Sequence, residues 1–130
     1  MSRITEWKLE VLETVLKDLQ GMSKIIVVQL LTTLKIGQLV LLQKVVADKT
    51  ATKNLLEVIK VANSAEADFS KLEKSIKGKG FTQAESLVNF AVQLKPDARM
   101  MAESLLADEQ GLKLLKQGID ALMENYLYVR

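Results

Sequence analysis

Residues 24–47 read KIIVVQLLTTLKIGQLVLLQKVVA and form the most apolar stretch of this 130-residue chain. Their apolar positions cover two faces of a helix, and a helix that is apolar on two faces must be covered on two sides. The stretch therefore predicts a central, largely buried second helix in a bundle. A short strand over the β-branched residues 25–28 is the structural alternative.

The sequence on both sides of this stretch also favours helices. Over residues 4–20 and again from residue 82 onward, apolar residues recur at spacings of three and four, the pattern of a helix with one buried face. Pro96 ends one helix and begins the next, and Asp108 is the predicted N-cap of the last helix. We expect an all-α fold, a compact bundle of five or six helices in a single helical domain spanning residues 1–130.

A heptad-like seam follows residues 52–77, which are predicted to form the third helix. The seam is long for the core of one domain, since a helix rises about 1.5 Å per residue. A break after Asn63-Ser64 is the alternative. An unbroken seam could instead pair with a second copy of the chain, and a symmetric dimer is the commonest closed arrangement. The predicted homo-oligomer interface consists of Leu55, Ala62, Ala65, Phe69 and Ile76.

The chain lacks two residue types on which much enzyme chemistry depends. It contains no cysteine and no histidine, which excludes thiol catalysis, the Ser-His-Asp triad and the commonest zinc ligand. Its carboxylates match no calcium loop, and it has no Gly-rich phosphate loop. We therefore expect no enzyme activity, no catalytic residues, no metal and no cofactor.

The most concentrated charge in the sequence is a run of lysines after residue 70. The run could bind an anion or a nucleic acid, although lysines near the end of a helix also complement its dipole. Net charge is only +2, so nucleic-acid binding is not expected. The candidate anion-binding residues are Lys71, Lys74, Lys77 and Lys79.

The segment 25–46 raises the alternative of a membrane-associated protein, because its 22 residues could span a bilayer. Lys35 lies near its midpoint, where a lysine costs about 2.5–3.5 kcal/mol on insertion scales. Membrane insertion is therefore not expected. Charged residues interrupt the N-terminus, which has no apolar segment of a signal peptide. These features and the absent cysteines favour a cytoplasmic location.

A faint echo connects two segments of the chain at a spacing of sixty residues. A duplication explains the echo, and so does convergence of two helix starts on the same capping residues. Ala47-Asp48, Lys53, Leu55 and Ile59 recur as Ala107-Asp108, Lys113, Leu115 and Ile119.

The sequence contains long apolar seams and a segment that is apolar on two faces, but few residues that could carry out catalysis. The sequence therefore favours a non-enzymatic helical protein-interaction or assembly module that binds protein, including copies of itself. Membrane association through 25–46 and nucleic-acid binding through 71–79 are the alternatives from other functional classes.

Overall fold

The computed structural model describes residues 3–19, 21–65, 69–80 and 83–129, and all regular structure in these ranges is helical. The predicted all-α class is confirmed. The described ranges contain eight helices, however, and not five or six. They are α1 (Arg3–Val15), α2 (Met22–Thr33), α3 (Ile36–Val46), α4 (Lys49–Ala65), α5 (Phe69–Lys77), α6 (Ala84–Gln93), α7 (Pro96–Ala107) and α8 (Glu109–Val129).

The apolar stretch 24–47 forms two helices, α2 and α3, so the prediction of one long helix is wrong. Between them, Leu34 and Lys35 are extended, and the chain turns a corner there. The Lys35 N–H donates to the Gln38 side chain at 2.8 Å, and the Leu34 carbonyl accepts from Lys8 Nζ. Side chains thus satisfy backbone groups that the interrupted helix leaves without partners. Residues 25–28 lie within α2, which rules out a strand there.

The predicted third helix is also divided. α4 ends at Ala65 and α5 begins at Phe69, while residues 66–68 lie outside the described ranges. The structure has two helices, α4 and α5, in place of the predicted single helix over 52–77. The alternative, a break at Asn63-Ser64, is wrong because both residues lie within α4. The junction at Pro96 follows the sequence prediction, because α6 ends before it and α7 begins with proline as its first residue.

Helix boundaries repeat along the chain at a spacing of sixty residues. The first residues of α3 and α7 are sixty positions apart, as are those of α4 and α8, and α2 and α6 end sixty positions apart. The extended corner at Leu34-Lys35 recurs at Leu94-Lys95. We call α1–α4 the first repeat and α5–α8 the second.

Buried residues also recur sixty positions apart. The similarity between the two segments of the sequence therefore extends to most of the core. In each repeat the buried positions lie on the same faces of equivalent helices, so the two repeats share one plan. Leu12, Leu16, Val27, Leu30, Leu31, Leu34, Val45, Val46, Leu55, Ile59 and Ala62 correspond to Leu72, Ile76, Leu87, Phe90, Ala91, Leu94, Leu105, Leu106, Leu115, Ile119 and Leu122.

The repeats exchange their last helices. α8 packs against α1, α2 and α3 of the first repeat, and α4 packs against α5, α6 and α7 of the second. All these contacts belong to one hydrophobic cluster. α4 and α8 are therefore the helices that have neighbours on most sides. The segment 25–46, which was predicted to be central, is less covered, and Ile25 within it is 52% exposed.

Candidate functional site

The predicted interface residues lie mainly inside the chain itself. Leu55, Ala62 and Ile76 are buried in the common core, where α6 and α7 cover α4. The side chains of Ala65 and Phe69 lie outside the described part. A second copy could reach the three buried residues only if α4 and α5 separated from the helices that cover them.

The lysines of the predicted anion site are all exposed, but carboxylates lie beside two of them. Lys77 forms an ion pair with Glu73 at 3.0 Å, and Lys79 pairs with Glu57 of α4. The hydrogen bond and the charge of Glu73 raise the pKa of Lys77. These pairs offset part of the positive charge that the lysine run would present to an anion.

Two further predictions concern metals and membranes. Among the described residues, no group of three or more His, Cys, Asp or Glu side chains is placed to hold a metal ion. Over the same ranges, no helix combines the length and the apolar character needed to cross a membrane. The corner at Leu34-Lys35 divides the segment that had suggested such a helix.

Three large apolar side chains are exposed on the described surface, and we call them the methionine strip. They are Met22 at 69%, Ile25 at 52% and Met100 at 65% relative exposure. Met22 and Ile25 lie three residues apart on α2, and Gln29 continues their helical face. Met100 lies on α7, which packs against α2, and it lines the same cleft as Gln29.

That cleft, which we call the corner cleft, has a volume of about 970 Å³ and lies where the two corners meet. Lys35 of the first corner and its repeat equivalent Lys95 both line it. A smaller groove between α3 and α6 shares Lys35, Gln38 and Gln93 with the cleft. The corner cleft is lined by Gln29, Thr32, Thr33, Lys35, Gln38, Gln93, Leu94, Lys95, Asp97, Ala98, Met100 and Met101.

A second feature lies between α4 and α8, and we call it the junction groove. It has a volume of about 380 Å³, an apolar floor and a rim that carries lysines. Most of its lining consists of repeat-equivalent residues, so the groove lies between the two repeats and both contribute to it. The equivalent pairs are Val46 and Leu106, Lys49 and Glu109, Thr52 and Leu112, and Leu56 and Lys116, with Lys53 and Ala107 completing the lining.

Neither the methionine strip nor the junction groove is apparent from the sequence. Met100 and Met101 are neighbours of the same type, yet the structure exposes Met100 and half-buries Met101. The exposure of Ile25 could not be read from the sequence, because its neighbours are as apolar as it is. Lys116 is more than sixty positions from Lys49 and Lys53, so no local charge pattern unites the three lysines of the groove.

Comparisons of this chain with protein-family models, with curated proteins and with solved structures found no match.

Proposed function

We propose that this protein is a non-enzymatic helical interaction module that associates with a second copy of itself through the methionine strip. The observation that carries the proposal is the exposure of Met22 and Ile25 on α2 and of Met100 on α7, a helix that packs against α2. Exposed apolar residues that lie together often mark a protein contact. Methionine suits such a contact because its side chain adapts to the shape of the partner.

A partner can reach the methionine strip without unfolding the chain. The predicted interface along α4 and α5 is buried and does not offer such a surface. Twofold symmetry would place the strip of one copy against the same strip of the other. The polar residues of the corner cleft would then form the rim of the contact, as in many interfaces. A cytoplasmic location belongs to the same proposal and is supported by the lack of cysteine.

Size-exclusion chromatography with light scattering at micromolar concentration tests self-association. The expected mass is twice the 14.5 kDa of the chain. A double variant, Ile25→Ser with Met100→Ser, should elute as a monomer and keep its helical circular dichroism, because both side chains are exposed. Lys60→Ser, at another exposed position, is the matched control and should leave the dimer intact.

Ala62→Glu separates this proposal from the interface predicted along α4 and α5. Ala62 is completely buried, so a carboxylate there should unfold the chain and not merely split a dimer. A folded monomeric Ala62→Glu variant would favour the seam over the strip. A wild-type chain that is monomeric at micromolar concentration would refute self-association by either surface.

A further inference from the structure

The junction groove combines an apolar floor with positive charge at the seam between the repeats. Val46 and Leu106 are buried at its base, and Leu56 and Leu112 are half-buried along its sides. The two leucines lie on helices that both belong to the centre of the fold, yet neither is fully covered. The groove therefore presents apolar surface that a partner can still bury.

The charges around the groove are unequal. Lys49, Lys53 and Lys116 line it together with a single carboxylate, Glu109. Within the part of the chain that the structure describes, these three lysines take part in no ion pair. This differs from Lys77 and Lys79, which have Glu73 and Glu57 beside them. The lysines of the groove thus keep their charge available for a partner.

We propose that the junction groove binds an acidic amphipathic helix of another protein. Apolar residues at helical spacing on one face of such a helix would contact the floor formed by Leu56 and Leu112. Glutamate or aspartate residues beside that face would lie against Lys49, Lys53 and Lys116. Complementary charges of this kind select the partner and speed its association.

A second copy of this chain does not supply that helix. Three carboxylates lie on each of its longer amphipathic helices α1 and α8: Glu6, Glu10 and Glu13, and Glu109, Asp120 and Glu124. The apolar faces of both helices are already buried, with Leu12 of α1 and Leu115 and Ile119 of α8 completely covered. The groove therefore fits a different protein, and this inference does not depend on self-association through the methionine strip.

Fluorescence anisotropy with a labelled synthetic peptide tests the inference on the full chain. The probe is a helix of about 18 residues, long enough to be helical alone, with leucines on one face and glutamate and alanine elsewhere. The same peptide with lysine in place of glutamate is the matched control. We expect the acidic peptide to bind at about micromolar concentration, more weakly as salt is added, and the basic peptide not to bind.

Variants locate the binding. Lys49→Gln, Lys53→Gln and Lys116→Gln together should weaken it about tenfold or more. The same number of changes in the lysine run, Lys71→Gln, Lys74→Gln and Lys79→Gln, should leave it unchanged. Glu109→Lys, which makes the rim wholly basic, should tighten it.

Four outcomes would overturn the assignment. They are no binding of the acidic peptide, equal binding of both peptides, an unchanged affinity in the Lys49, Lys53 and Lys116 variant, and equal losses in the two triple variants. Circular dichroism of each variant shows whether the fold is kept. A partner peptide that binds the Ile25→Ser and Met100→Ser monomer as tightly as the wild type would separate this groove from the methionine strip.

Discussion

The two repeats share one plan for their buried positions, but they distribute side-chain volume in opposite ways. In α8 the chain has Gly118, and Leu31 of α2 lies against it, where a Cβ on the glycine would come within 2.8 Å of Leu31 Cδ1. The equivalent positions in α4 and α6 hold Val58 and Ala91, which are both buried. The large residue is thus on α2 in one half and on α4 in the other.

This comparison shows that equivalent burial does not mean interchangeable side chains. Interiors are packed densely, so each large residue needs a smaller one opposite. Leu42 and Ala102 differ in size at equivalent positions, and Ala62 and Leu122 differ in the reverse sense. The same arrangement of helices tolerates these differences in side-chain size. The last helix of each repeat packs against the other repeat, so a larger side chain on one helix can be matched by a smaller one on the helix that it contacts.

The largest expected effect comes from replacing Gly118 of the second repeat by valine, the residue at the equivalent position 58 of the first repeat. Gly118→Val should lower the free energy of unfolding by about 3 kcal/mol, because its Cβ would lie 2.8 Å from Leu31 Cδ1 and 3.2 Å from Leu12 Cδ2, and its two methyl groups need further space. Urea denaturation followed by circular dichroism measures the change. Gly37→Ala is the matched control: no atom lies within 4 Å of its added Cβ, so it should stabilise the helix by about 0.5–1 kcal/mol.

Adding Leu31→Ala to Gly118→Val sharpens the same comparison. The pair then reproduces the small-against-large arrangement of Ala91 and Val58. The double variant should be more stable than the sum of the two single changes implies, with a coupling of about 1–3 kcal/mol. If the losses in free energy of unfolding of the two single variants simply add in a double-mutant cycle, the sizes of the side chains at positions 31 and 118 are not coupled.

A smaller effect distinguishes the two aspartates that cap α4 and α8. Asp108 accepts the Gly111 N–H at 2.7 Å, whereas Asp48 accepts the N–H groups of Thr50 and Ala51 at 3.4 and 3.3 Å. Asp108→Ala should therefore lower the free energy of unfolding by about 1.5 kcal/mol and Asp48→Ala by about 0.5 kcal/mol. Thermal and urea unfolding of the two variants measure both values, and an equal loss would contradict the ranking.

The smallest expected effect is a pH dependence at the corner of the first repeat. Lys8 is 2% exposed and donates to the Leu34 carbonyl, while position 68, its equivalent, is an aspartate in the sequence. Burial lowers the pKa of Lys8 from its usual value of 10.5. The folded chain then binds fewer protons than the unfolded chain at this group, so its stability rises as the pH increases toward 10.5.

Lys8→Met removes the titrating group and tests that sign. Between neutral pH and 10.5, the free energy of unfolding of the wild type should increase relative to that of the variant. Urea denaturation at several pH values measures the difference. Parallel stabilities across that range would show that burial of Lys8 does not disfavour its charged form.

Helix boundaries that a single residue type dictates can be predicted from the sequence. Pro96 begins α7 because its fixed backbone angle suits the first turn and it has no N–H to leave unpaired. Asp108 caps α8 because its carboxylate accepts a backbone N–H there. The break at Leu34-Lys35 was missed, since both residues are compatible with a helix and the Lys8 side chain that helps satisfy the corner is distant in the sequence.

The same limit applies to the candidate sites. The lysine run was found because its members are neighbours in the sequence, and the structure brings Glu57 from α4 to one of them. The junction groove joins Lys49 and Lys53 to Lys116, which are more than sixty positions apart. No local sequence pattern shows that these lysines lie close together. Only the packing of α3, α4, α7 and α8 brings them to one groove.

The sequence by itself determined the helical class, the absence of cysteine and histidine chemistry, and which face of each amphipathic helix is apolar. These follow from composition and from the period of the helix, which act within a few residues. The tertiary structure alone decided that α4 and α8 exchange places between the repeats, that Gly118 is needed opposite Leu31, and which apolar residues remain exposed. Those outcomes depend on volume and contact between distant segments, because a side chain is buried only when another helix covers it.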